Sequence, residues 1–158
     1  MWGRIGQQSE VPAAGQDSRL PVCGSLDALT GRLLTQTACR KNSAAFLAHL
    51  REILKAHPDK TIFVFVHNCS IHKAKCVQRF LADHPRLRVI WNAAYTPELN
   101  LIERYWKHLK EKAINNYYFG SHAELEEAVR QAVRDLNRSK KLRMAVHLKF
   151  LDSLRGAA

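Results

Sequence analysis

At 158 residues the chain has room for one domain with a substantial buried core. Its 25 Lys and Arg against 14 Asp and Glu leave a net charge of +11, an excess that favours a polyanionic partner, nucleic acid first among them. No apolar run approaches the ~18 residues of a membrane-spanning helix, and the opening MWGRIGQQ lacks the apolar stretch of a secretory signal, so a soluble protein with no membrane contact is expected.

Residues 1–18, rich in Gly, Gln and Ser with Pro12, read as a loop or loosely held arm. Leu20 to Leu29 and Arg32 to Cys39 flank Thr30-Gly31 and predict two antiparallel strands joined by a tight turn. Asn42 or Ser43 opens a helix with Phe46, Leu50, Ile53 and Leu54 on one face, ending at His57-Pro58. The β-branched and aromatic run Thr61 to Val66 predicts a strand buried on both faces. Ser70 is placed to cap the next helix, with Ala74, Val77, Phe80 and Leu81 inward and Lys73, Lys75 and Arg79 outward. His84-Pro85 ends it before a strand from Leu87 to Trp91. Helix, His-Pro and strand thus occur twice in that order, which marks two αβ units and parallel neighbours in a sheet.

The segment Thr96 to Trp106, TPELNLIERYW, predicts a helix that carries a carboxylate beside an apolar stripe. Thr96 suits the N-cap and Pro97 the first helical position, where its missing N–H costs nothing; Glu98 sits where the helix dipole favours negative charge. Leu99, Ile102, Trp106 and Leu109 form the stripe, and Glu103 falls on its edge, not on the solvated face. Such a carboxylate needs a partner. The candidates are a metal cation, Lys107 or a neighbouring Arg. Further on, Ser121 and Glu124 make a capping box for a helix bearing Leu125, Ala128, Val129, Ala132 and Leu136. In the tail, Leu142, Met144, Val146, Leu148 and Phe150 alternate with Lys141, Arg143, Ala145, His147 and Lys149. That period of two predicts a strand filling a sheet edge, although the same residues are good helix formers.

Residues 62–110 resemble the catalytic core of DDE transposases of the mariner-like and bacterial insertion-sequence type. That family pairs an apolar strand ending in Asp-Asn, with a His shortly after, with a later Tyr-Ser-Pro-Glu-Leu-Asn-Pro-Ile-Glu segment entering an aromatic-rich helix. Here the strand runs from Ile62 to Val66, the doublet is His67-Asn68, the following His is His72, and the second block reads Tyr95 to Glu103 as YTPELNLIE. Thirty-five residues separate His67 from Glu103, close to the family's interval between its last two acids. The resemblance extends from residue 2 to about 137. It implies an RNase H-like mixed sheet flanked by helices over residues 19–137, and a basic tail over 138–158, strand or helix.

Two departures from the family pattern bear on activity. The second catalytic Asp falls on position 67, here His, and the strand that carries the first Asp would precede the stretch resembling Trp2. The expected fold therefore lacks its first, central strand, which would leave two open strand edges and favour a homodimer, by strand exchange. The family's chemistry uses two divalent ions, Mg²⁺ or Mn²⁺. Magnesium takes hard oxygen ligands, whereas imidazole suits zinc, copper or nickel. Glu103 alone is the metal-ligand candidate, and Glu103 with His67 forms the candidate catalytic pair. Catalytic impairment is the expectation.

Other residues admit two readings each. Lys73, Lys75, Arg104, Lys107, Lys110, Arg138, Lys140 and Lys141 are candidates for phosphate contact, or simply solvated cations. Trp91, Tyr95, Tyr105 and Trp106 suit base stacking or core packing. Asn68 and His72 could position a phosphate, or turn the chain and pack on it. Cys23, Cys39, Cys69 and Cys76 read as free thiols in a domain with no export signal, and the spacing of His67, Cys69, His72 and Cys76 fits no standard zinc pattern. Three functions follow as alternatives: a DNA-cleaving and strand-transferring transposase core, a degenerate DNA-binding remnant of one, or an oligomerising interaction module. The resemblance places the protein in a bacterial cytoplasm, associated with the nucleoid.

Overall fold

The computed structural model describes residues 20–91, 101–115 and 117–140. The expected arm over residues 1–18, the caps Thr96 and Pro97, Tyr95, Leu99, Lys141 and the alternating tail lie outside them.

Strands β1 (Val22–Leu26) and β2 (Leu33–Thr37) pair antiparallel, Val22 opposite Thr37 and Leu26 opposite Leu33. The turn between them is longer than the two residues expected, because Asp27 organises it. Its carboxylate accepts from the N–H groups of Leu29 and Thr30, and its backbone exchanges bonds with Gly31 and Arg32. Gly31 has φ of 66°, the left-handed conformation that a side chain disfavours.

Helix α1 (Ser43–Ala56) begins at Asn42, whose side chain accepts from the Ala45 N–H at 2.9 Å. The expected stripe is buried, and His49 is buried with it. Strand β3 (Ile62–Val66) follows, then a 3₁₀ turn over Ser70–Lys73, α2 (Lys75–Asp83) and β4 (Leu87–Trp91), which pairs parallel with β3. Ser70 does not cap a helix: the 3₁₀ turn intervenes, and α2 starts after Ala74 with no side-chain cap. Among the described residues β3 is also not covered on both faces. Phe63 and Phe65 face solvent, since α1 and α2 lie on one side of the ribbon only.

Helix α3 (Leu101–Leu109) runs into a π-helical turn over Lys110–Ile114. Helix α4 (His122–Arg138) starts at Ser121, whose hydroxyl accepts from the Glu124 N–H. The Glu124 carboxylate returns the bond one residue earlier than the usual box, at the Gly120 N–H.

Two apolar clusters share the β1–β2 hairpin. Leu34 joins Phe46, Leu50, Ile53, Leu54, Val66, Val77 and Leu87, while Leu33, on the opposite face of β2, joins Tyr105, Leu109, Val133 and Leu136. The alternation of one strand thus links α1 on one side with α3 and α4 on the other. Among the described residues the result is a mixed α/β fold of four α-helices and two two-stranded sheets, compatible with an RNase H-like domain. No described helix is long and apolar enough to cross a membrane.

Asn137 completes the edge of β2 as a further strand would. Its Oδ1 accepts from the Leu33 N–H at 2.9 Å and its Nδ2 donates to the Leu33 carbonyl at 2.7 Å. Asn137→Leu keeps most of the volume and leaves both half-buried backbone groups unbonded. It is expected to cost about 1–3 kcal/mol, read as a lower urea midpoint at constant m.

Candidate active site and nucleic-acid interface

The parallel pair β3–β4 ends where chain reversals bring polar side chains together, the position at which open α/β sheets commonly bind ligands. His67 is the first residue past β3 and is exposed. Its carbonyl accepts from the Cys69 N–H at 2.8 Å and lies 3.0 Å from His72 Nδ1, which donates to it. The His72 ring is half-buried, packed on Phe46 with centroids 4.2 Å apart and edge-on to His67 at 4.7 Å. Burial holds the His72 pKa below the usual histidine range, with the neighbouring His67 and Lys41 acting in the same direction. His72 therefore packs and pins the loop that presents His67. Lys73 and Lys75 are exposed beside this loop, and the Lys73 ammonium lies 5.4 Å from the Trp91 ring centroid.

Helix α3 presents Glu103. Tyr105 and Leu109 are buried and Ile102 and Trp106 pack beside them, so the helix docks on the hairpin by that face. A Cβ at Gly24 would lie 2.4 Å from Trp106 Cζ2; glycine there lets α3 approach β1 this closely. Contrary to the expectation from the stripe, Glu103 lies on an exposed face of the helix, lining an open cleft of about 360 Å³ with Trp106, Lys107, Lys110, Glu111 and Asn115. The π-helical turn forms part of the wall, with the Asn115 N–H donating to the Lys110 carbonyl at 2.7 Å. Spacings of four at Glu103, Lys107 and Glu111 put all three on one face. That spacing was the available signal for Glu111, which sequence reasoning passed over.

The structure thus gathers Glu103, Lys107 and Lys110 into one cleft and His67, Lys73 and Lys75 around the strand ends. Arg104 is half-buried, and Arg138 and Lys140 are exposed at the end of α4. Tyr105 and Trp106 belong to the core, whereas Trp91 is 42% exposed. All four cysteines are free thiols.

The described donor set does not fit a pair of magnesium ions. No three His, Cys, Asp or Glu side chains come together among the described residues. Glu103 shares its cleft with two lysines, and the other carboxylate there, Glu111, is two helical turns along, on the order of 12 Å by helix rise. One carboxylate and an exposed imidazole are a poor hard-oxygen cage.

The model of a family described as DDE superfamily endonuclease matches residues 1–126. The chain belongs to that superfamily. Endonucleases of the DDE superfamily are generally dependent on divalent metals. The chain is also similar to the uncharacterized 39 kDa protein of insertion element IS630 from Shigella sonnei, 32% identical over 130 residues. The match covers 82% of the chain and 38% of that relative, so the chain spans well under half the length of the curated protein it matches.

Proposed function

We propose that this DDE-superfamily chain is a transposase-type domain that binds DNA and does not cut it. The observation that carries the reading is the donor set: Glu103 lies in a cleft with Lys107 and Lys110, and His67 occupies the position where the family resemblance expects an Asp. Two metals poised for in-line phosphoryl chemistry need bridging carboxylate oxygen. An imidazole at that place and lysines around Glu103 suit phosphate oxygens instead. The net charge of +11 supports the same partner. Lys73, Lys75, Lys107, Lys110, Arg138 and Lys140 are exposed cations available for phosphate contact. Pairing of two copies through strand edges belongs to this reading, since β1 and β3 each have one hydrogen-bonded neighbour among the described residues.

Incubation with end-labelled duplex DNA in Mg²⁺ or Mn²⁺ is expected to give no cleavage above the buffer control. Affinity for the same duplex should fall at least tenfold between low and moderate salt, as counterion release demands. Cleavage that disappears in Glu103→Gln overturns the inactive assignment, and affinity indifferent to salt overturns DNA binding. Sedimentation of the same preparation reports the dimer; a monomer at every concentration removes that part.

A further inference from the structure

Among the described residues the β3–β4 ribbon turns one face inward and leaves the other open. Ile62, Val64, Val66, Leu87 and Val89 pack into the cluster with α1 and α2. On the other face Phe63 is 53% exposed, Phe65 64% and Ile90 37%. The register sets Phe63 opposite Arg88 and Phe65 opposite Ile90, and the Arg88 guanidinium lies 5.9 Å from the Phe63 ring centroid. Trp91, opposite Val66 in the register, belongs by alternation to the inward side, and the Lys73 ammonium near its ring lies on that side as well. Scattered exposed apolar residues are ordinary in soluble proteins, whereas two neighbouring aromatic rings with a guanidinium beside them form a patch.

We propose that this open face is a stacking platform for single-stranded nucleic acid. Phe63 and Phe65 each take one base, and Arg88 attracts the phosphates that flank them. The proposal rests on the DNA-binding reading above and adds which form of nucleic acid is held, and where. Residues two apart on a strand lie about 6.6 Å from one another, twice the ~3.4 Å step of stacked duplex bases. That separation matches a stretched single strand whose bases have parted, whereas a duplex keeps its base faces covered. Stacking needs only ring faces and nearby cations, tolerates any sequence, and uses both features present here.

A second copy of the chain is the less suitable occupant. At 150–250 Å² for a whole aromatic side chain, the exposed parts of Phe63, Phe65 and Ile90 come to roughly 300 Å². That is well under half of the ~800 Å² per partner that a stable interface covers.

The test is fluorescence anisotropy of the full chain with a labelled oligothymidylate and with a labelled duplex. Phe63→Ser and Phe65→Ser change side chains already more than half exposed, so the variants are expected to melt within a few degrees of the parent. Each should bind the oligothymidylate about tenfold or more weakly and the duplex unchanged within twofold. Phe65→Tyr, which keeps a ring, should retain most of the single-strand affinity. Unchanged oligothymidylate binding in both serine variants overturns the platform. So does a large fall in melting temperature, which would show that the chain itself covers the face, or a fall in sedimentation coefficient, which would show that a second copy does. Failure of the parent to bind either DNA sinks the DNA-binding reading as a whole, whereas duplex binding with ordinary salt dependence and no response to Phe63 or Phe65 sinks the platform alone.

Discussion

Arg86→Met is expected to lower the free energy of unfolding by roughly 3 kcal/mol, because three carbonyls lose a charged donor together. Helix α1 ends at His57-Pro58, with His57 at φ −135° and ψ 71°, outside the helical region, and no left-handed glycine to close the last turn. Its final carbonyls therefore need partners from elsewhere. Arg86, at the entrance to β4, supplies them: Nη2 donates to Leu54 O at 3.0 Å, and Nη1 to His57 O at 2.5 Å and Lys60 O at 3.2 Å. The Arg86 carbonyl meanwhile accepts from the Ile62 N–H at 2.7 Å, just ahead of the parallel ladder. One residue thus joins the end of α1, the loop before β3 and the start of β4. Arg86→Lys should restore less than half of the loss, since a compact ammonium cannot span carbonyls that the planar fork reaches. Guanidinium unfolding at constant m reads both variants. The parent midpoint in Arg86→Met would mean that water serves those carbonyls as well. The same variant should speed hydrogen exchange at Ile62, because the bond that precedes the ladder loses its anchor.

That contact has no local sequence signal, since its partners lie 26 to 32 residues away. Features with a local cause were legible. Proline keeps the residue before it out of helical backbone, so His57-Pro58 and His84-Pro85 marked where α1 and α2 stop. Asn42 and Ser121 satisfy orphan N–H groups and marked where α1 and α4 start. An apolar run, by contrast, does not say how many layers will cover it. IFVFV read as doubly buried, but the described helices lie on one side of it and two phenylalanines are more than half exposed. Ser70 has the chemistry of a cap, yet the loop after β3 closes first into a 3₁₀ turn, with the His72 N–H on the Cys69 carbonyl at 3.1 Å. The candidate site was legible as residue types rather than as an assembly. Glu103, Lys107 and Lys110 were each named, and their common cleft with Glu111 follows from the helical period once the helix is known. Thr96, Pro97 and Lys141 lie outside the described residues. His49 was the clearest omission: it stands three residues after Phe46 and four before Ile53, squarely on the stripe, and only its polarity kept it from being read as core.

Acidification should destabilise the fold through that same residue, and His49→Leu should remove most of the effect. His49 is 3% exposed, and neither ring nitrogen has a hydrogen-bond partner among the described residues. Burial pushes its pKa from 6.5 down to about 4, against a smaller upward pull from Glu52. The folded state thus holds the ring neutral, while the unfolded chain takes up a proton once the pH drops below about 6.5. Stability from this group is fully present above that value and is lost as pH falls toward about 4, by on the order of 3 kcal/mol. His72, also held low by burial, acts in the same direction. Glu126 and Glu127 belong to a more acid window. Hydrogen bonds from Thr37 and from Arg134, respectively, hold their carboxyls below the usual range, so their contribution is lost only below about pH 4.5. Urea midpoints measured from pH 7 to pH 4 should fall steeply in the parent and gently in His49→Leu. At pH 7 the leucine variant should be at least as stable as the parent, since it removes two unbonded buried polar atoms from a position that already packs as core. Equal slopes in the two proteins would place the acid sensitivity elsewhere and show that the interior around His49 admits water.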